Sequence, residues 1–392
     1  MRLLYGRARL ALSKRAFTLR DSDTTTEQER TRLDAMYSAG LGLNMVDLLA
    51  SAMLATEYSR SALALGDPDR VARALSIETS YLANAGGDAK RRASEQIADR
   101  LQTVLPHITD PTTHALLDLN KGTTLYFCGR WRESLQAIAR ASESFMPHYE
   151  GLNWEVGSCQ LYRLWALSYA GDFATLAQEA PEFSEQALLR GDRMFSIALA
   201  SGHSNMAWLV VDQPEQARQL AKRAIEGFAP SSFQSPEYFD VVAQCHIDLY
   251  EGKGVSAYER IVPMFKRMQR AQFLRPQYFR VEMLFLRARC AVAAAAQDAV
   301  RRSSLLAGAR SDARRLRRED IGFAAPMADL IDAAAHAATG SDAKEALLHA
   351  AEELDAAGVG GFAQMARWAA GELVTEGVVR PERMMRLTGV CC

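Results

Sequence analysis

Glycine and proline are scarce in this sequence, 25 and 12 of 392 residues. That argues against disorder and against an all-β fold, which both draw on turn-formers. An excess of either charge is also missing: 46 Lys and Arg stand against 47 Asp and Glu, a formal net charge of −1. Nothing global pulls the chain toward nucleic acid or an anionic membrane. No C-x-x-C occurs among the six cysteines, so a zinc site or dithiol redox motif has no support. Cys128, Cys159, Cys245 and Cys290 fall in apolar helical patterns and read as small buried hydrophobes, which fits a reducing, cytoplasmic setting. The pair Cys391 and Cys392 reads as a frayed end rather than a lipidation tail. No stretch of 18 apolar residues is free of charge, so no membrane span is expected. The nearest approach is "CAVAAAA" at 290–296. At the N-terminus, Arg7 and Arg9 break the run that a signal peptide's core needs.

Catalytic signatures are missing as well. A kinase needs a Gly-rich loop, a V-A-I-K-type lysine, H-R-D and D-F-G to hold ATP and magnesium. None is found, and "GDF" at 171–173 only reverses the letters. "EGKGVS" at 251–256 has a Gly-Lys but neither the first glycine nor the Ser or Thr of a phosphate-binding loop, and it reads as a turn. The seven histidines make no H-E-x-x-H or Cys/His cluster, and His246 beside Cys245 reads as a packed helix residue. No G-x-S-x-G suggests a hydrolase. The expectation is no catalytic residue, no cofactor and no metal.

What is present is a recurring interruption. "FCGRWRESL" at 127–135, "YAGDFATL" at 169–176, "VVDQPEQA" at 210–217 and "YEGKGVSA" at 250–257 each join an apolar run to a Gly or Asp, a polar step, and an Ala or Leu. The steps from Gly129 to Gly171, Asp212 and Gly252 are 42, 41 and 40 residues. Further copies stand at Gly66 and Gly340. A turn without glycine is expected near "AAQDAV" at 295–300. A period near 40 marks helix-pair arrays. Glycine ends a helix in the left-handed conformation, and in "GDP" Asp67 can cap the next helix with Pro68 at its first position. Pro181 should kink or split its helix. "AKRRASEQIADRLQTVL" reads as an extra helix, and "SDTTTEQERTRLD" as a loop before a capped helix start. The 48% hydrophobic content can fill either two cores or one long array. The expected fold is all-α: an α-solenoid of about six to eight stacked antiparallel helix pairs. Residues 1–60 are expected to pack as a helical segment on an array spanning 61–392, with no linker between them.

Several phrases, in order, resemble a known family: "SAGLGLNMVD" (38–47), "ALGDPDRVARALSIE" (64–78), "NWEVGSCQLYRLWALSYAGD" (153–172), "LLRGDRMF" (188–195), "HIDLYEGKG" (246–254), "FRVEMLFLRARCAVAAAA" (279–296) and "DARRLRRED" (312–320). They are similar to the C-terminal, tetratricopeptide-like region of large bacterial serine/threonine protein kinases, which carry a kinase domain and an AAA-type ATPase module before the array. The resemblance runs from about residue 30 to about 388 and implies a helical array with no catalytic residue to carry over. A stand-alone relative, a split partner of such a kinase, and a fragment are all consistent with it.

One charge asymmetry remains. From 266 to 318 there are fourteen Lys and Arg against Glu282, Asp298 and Asp312, a local excess of eleven. This could form a groove for nucleic acid or an acidic effector. A solvated helix face, with arginine stems covering apolar surface, is the preferred reading. The expected function is a non-catalytic protein-interaction or regulatory scaffold in the cytoplasm, with a kinase or ATPase as candidate partner. The alternatives are one piece of a serine/threonine kinase system, or a nucleic-acid or effector binder using residues 266–318. Arg163 and Asn205, off the apolar stripes, are the candidate partner contacts.

Overall fold

The computed structural model describes residues 2–13, 17–20, 24–145, 151–228, 230, 233–372 and 378–390. Cys391 and Cys392 lie outside them. The described residues form twenty α-helices and two short 3-10 segments, with no strand. The chain divides into two compact units. The first holds residues 1–124 and 136–159, and the second holds 125–135 and 160–392.

In order, the helices that begin before residue 125 are α1 (Arg2–Ser13), α2 (Glu27–Leu43), α3 (Leu48–Leu65), α4 (Pro68–Ala85), α5 (Asp88–Val104) and α6 (Pro111–Phe127). Next come α7 (Trp131–Phe145) and α8 (Asn153–Ala170). Sequence neighbours pack together: α2 on α3, α3 on α4, α4 on α5. The expected capping chemistry is present. Thr26 and Glu29 form a reciprocal capping box at α2. Asp67 accepts from the Arg70 amide at 3.1 Å, with Pro68 opening α4. The extra helix expected after residue 88 is α5. Leu63, Val71, Leu75, Leu82, Ile97 and Val104 close one apolar core.

The second unit continues with α9 (Phe173–Leu189), α10 (Arg193–Ala200), α11 (Met206–Val210), α12 (Pro214–Ile225), α13 (Ser235–Tyr250), α14 (Gly254–Arg270) and α15 (Gln277–Gln297). It ends with α16 (Arg302–Leu316), α17 (Ala324–Ala337), α18 (Lys344–Ala356), α19 (Gly360–Ala369) and α20 (Pro381–Met384), the last followed by a 3-10 turn, Met385–Thr388. From α12 to α19 each helix packs on the next, and alternate helices also meet, α13 on α15 and α15 on α17.

All six predicted turn residues have positive φ: Gly66, Gly129, Gly171, Asp212, Gly252 and Gly340, between 57° and 84°. The expected glycine-free turn lies between α15 and α16, where Asp298 is extended and accepts from the Arg301 amide at 2.9 Å. Gly171 is also a point of close approach. A Cβ there would stand 2.8 Å from the Gly360 carbonyl carbon and the Gly361 nitrogen. Of the two expected effects of Pro181, a kink or a split, the split is corrected: α9 runs unbroken from Phe173 to Leu189. One backbone bond is lost at the proline, and burial of Phe173, Leu176, Ala180 and Ala187 along the helix offsets it. The period also appears in contacts: Thr109 with Asp69, Arg73 with Thr113, Tyr250 with Asp212, and Gln277 with Glu319 are 38 to 42 residues apart.

Candidate functional site

The second unit encloses a run of polar side chains in an otherwise apolar interior. It is centred on α15, a helix buried on nearly every side. Glu282 and Arg289 sit seven residues apart, two turns along one face, at 3% and 1% exposure. The two oxygens of Glu282 are taken by His203 Nε2, from the turn after α10, and by the Tyr238 hydroxyl, from α13. A carboxylate only accepts, so His203 carries its proton on Nε2. A chain of phenols runs beside this pair. Tyr278 donates to Tyr169 at 3.2 Å, and Tyr126 bonds to Tyr278. Trp131 stacks flat on Tyr169, 4.5 Å between centroids. Burial, reinforced by the Glu282 charge, pushes these tyrosines well above their ordinary pKa.

Arg289 lies at the other end. It donates from Nη1 to the Leu387 carbonyl at 2.6 Å and from Nη2 to His246 Nε2 at 3.3 Å. Its guanidinium also lies over the rings of Phe285 and Phe362. Burial lowers its pKa to about 10. Burial, then the Arg289 charge, holds His246 well below the ordinary imidazole value, so the ring is neutral. Its Nε2 accepts, so the proton is on Nδ1.

Residues 378–390 cover this end. The helical part of the segment touches α13, α15, α17 and α19. Met384, Leu387 and Thr388 are fully buried. Val379 donates its amide to the Val210 carbonyl at 3.0 Å, and Arg386 donates to the Tyr250 carbonyl at 3.3 Å. Gly389, at φ +93°, passes so close that a Cβ would stand 2.8 Å from the Arg289 carbonyl oxygen.

The candidate contacts read from the sequence are elsewhere. Arg163, on α8, is half-buried and makes a two-pronged bond to Glu179 on α9, both at 2.6 Å. The expectation that Asn205 is exposed is corrected. It is 1% exposed, and its amide bonds the Ala200 and Ala217 carbonyls at 2.8 and 2.9 Å, because the chain reverses there and leaves carbonyls to satisfy. "EGKGVS" lies at the turn from α13 into α14, where Lys253 pairs with Glu251 at 2.8 Å. In the basic stretch, Arg267 pairs with Glu237, Arg280 with Glu319, Arg287 with Asp312, Arg301 with Asp298, and Arg317 with Asp329 and Asp332. Lys266, Arg270, Arg275, Arg310, Arg314 and Arg318 are exposed. Cys159, Cys245 and Cys290 are buried and Cys128 is half-buried.

Sequence reasoning missed Arg289 as a site residue by counting it with the surface arginines. The signal was its setting, directly before the uncharged apolar run "CAVAAAA" at 290–296. The first unit offers a depression of about 220 Å³, lined by Tyr5, Arg9, Met53, Glu57 and Arg60 among others. No described helix is long and apolar enough to cross a membrane. Comparison with family models, curated proteins and solved structures gave no match.

Proposed function

We propose that this chain is a non-catalytic protein-interaction or regulatory scaffold: a tetratricopeptide-like α-solenoid akin to the C-terminal arrays of bacterial serine/threonine kinases. The observation that carries the reading is the seating of residues 378–390 on α13, α15, α17 and α19. These are alternate helices, the row that lines the inner face when helix pairs stack. A surface that takes a segment of its own chain has the shape and chemistry to take one from a partner. The recurrence of side-chain contacts at 38 to 42 residues supports a repeat. The partner in this reading is a protein, with a kinase or an ATPase as leading candidate. The pairing of much of the basic stretch with carboxylates favours it over a nucleic-acid groove.

The test joins two measurements. Cross-linking mass spectrometry in native lysate should place a recurrent protein partner on the exposed residues of the alternate helices. Purified chain should not turn over ATP with magnesium. Turnover that persists through stringent purification, or cross-links scattered evenly over the surface, would overturn the reading.

A further inference from the structure

Among the described residues, Arg289 is a buried cation with no carboxylate against it. Its acceptors are a backbone carbonyl and a neutral imidazole. Glu282, two turns away, is occupied by His203 and Tyr238. Arg289 Nε and His246 Nδ1 are buried and have no hydrogen-bond partner among the described residues. The guanidinium that carries this positive charge meets the Leu387 carbonyl through Nη1. A neutral carbonyl answers a full positive charge poorly. Charge-assisted bonds are about twice as strong as neutral ones, and a buried donor without a partner carries its full desolvation penalty.

The segment above has its own pattern. Arg380, Arg383 and Arg386 recur every third residue, and all three find acceptors, the Asp212 carboxylate for the first two and the Tyr250 carbonyl for the third. Met384, Met385 and Leu387 fill the apolar side. The surface under this segment thus meets a basic, apolar stretch and includes an arginine with no carboxylate partner among the described residues.

We propose that the channel over α13, α15, α17 and α19 is a receptor for a basic, apolar peptide whose free C-terminal carboxylate reaches Arg289, with residues 378–390 as the resident occupant that such a peptide displaces. In the resident, the Leu387 carbonyl stands in for the carboxylate. The occupant is favoured by tethering, which gives it a high effective concentration. A peptide ending at the position of Leu387 offsets this by bringing a second oxygen and a negative charge. The assignment rests on the protein-interaction reading above and names its ligand chemistry.

The experiment uses the full chain and a labelled decapeptide of residues 378–387, VVRPERMMRL, as free acid and as C-terminal amide. Fluorescence anisotropy should show the acid binding about tenfold or more tightly than the amide. Hydrogen exchange of residues 378–390 in the chain should rise as the acid binds. In Arg289→Gln the preference for the acid should vanish. The acid and amide comparison on the unaltered chain stands alone if that variant folds poorly. Equal affinities would overturn the carboxylate assignment and leave the protein-interaction reading intact. Binding by neither peptide would overturn the channel itself.

Discussion

Arg383 donates from Nη1 to Asp212 Oδ1 at 2.9 Å, joining residues 171 positions apart. The same oxygen accepts from the Tyr250 hydroxyl at 2.7 Å, and Arg380 reaches Oδ2 at 3.3 Å. Asp212 itself has φ +57°. One strained turn residue therefore ties the C-terminal segment both to the end of α13 and to the turn before α12.

Asp212→Ala should loosen the segment. For a partly exposed network the loss is about 1 kcal/mol, roughly a fivefold rise in hydrogen exchange across 378–390. Partial burial raises the Asp212 pKa, but the Tyr250 bond and the Arg383 and Arg380 charges outweigh it and the net shift is downward. A depressed carboxylate stabilises above its unfolded value, about 3.9, and stops doing so as pH falls through its folded value. The stability gap between the unaltered chain and Asp212→Ala should stay constant from pH 7 to about 4 and close below that. Urea midpoints measured across this range check it.

The turn glycines should not respond alike. Gly171 and Gly340 share positive φ, but a Cβ at 340 meets nothing within 4 Å, whereas one at 171 meets backbone. Asn tolerates the left-handed region, so Gly340→Asn should cost under about 1 kcal/mol. Gly171→Asn should cost about 2–4 kcal/mol, because α19 must move as well. Equal thermal unfolding of the two variants would count against the close approach of Gly171 to Gly360 and Gly361.

Glu282 accepts from two buried donors, His203 and Tyr238. Glu282→Leu leaves the His203 N–H and the Tyr238 O–H buried and unpaired, and should destabilise by about 3–5 kcal/mol. Glu282→Gln keeps one acceptor oxygen and should be milder, about 1–2 kcal/mol. Denaturant titration of both variants at pH 7 gives the comparison.

His246 should make the fold acid-sensitive. Its folded pKa is depressed, so its contribution is full above the unfolded value of about 6.5 and is lost as pH falls below it. Stability should then drop by up to about 1.4 kcal/mol per pH unit. His246→Gln can still accept from Arg289 and does not titrate, so its slope between pH 6.5 and 5 should be shallower. Parallel slopes in the two proteins would assign the acid sensitivity to another group.

Local chemistry was legible in the sequence wherever a residue's role depends on its immediate neighbours. The turn positions could be placed because left-handed backbone selects Gly, and Asp at 212, whatever the rest of the chain does. The caps at Thr26 and Asp67 follow from hydrogen bonds that span three residues. The all-helical class follows from apolar spacing and from few turn-formers. Pro181 does not split α9 because a local rule met a helix whose burial outweighs one lost bond.

The polar interior and its cover had no such local signature. Glu282 and His203 are 79 residues apart, Arg289 and Leu387 are 98, and Asp212 and Arg383 are 171. In a list of charges Arg289 is indistinguishable from Arg287, which pairs at the half-exposed edge with Asp312. Their different fates depend on which way each side chain faces once α15 is enclosed and residues 378–390 are laid over it. Sequence alone determined the helices and where they turn, since those energies arise between residues a few positions apart. Tertiary structure alone decided which polar groups lost water and which partners they met, since desolvation depends on everything packed around a group.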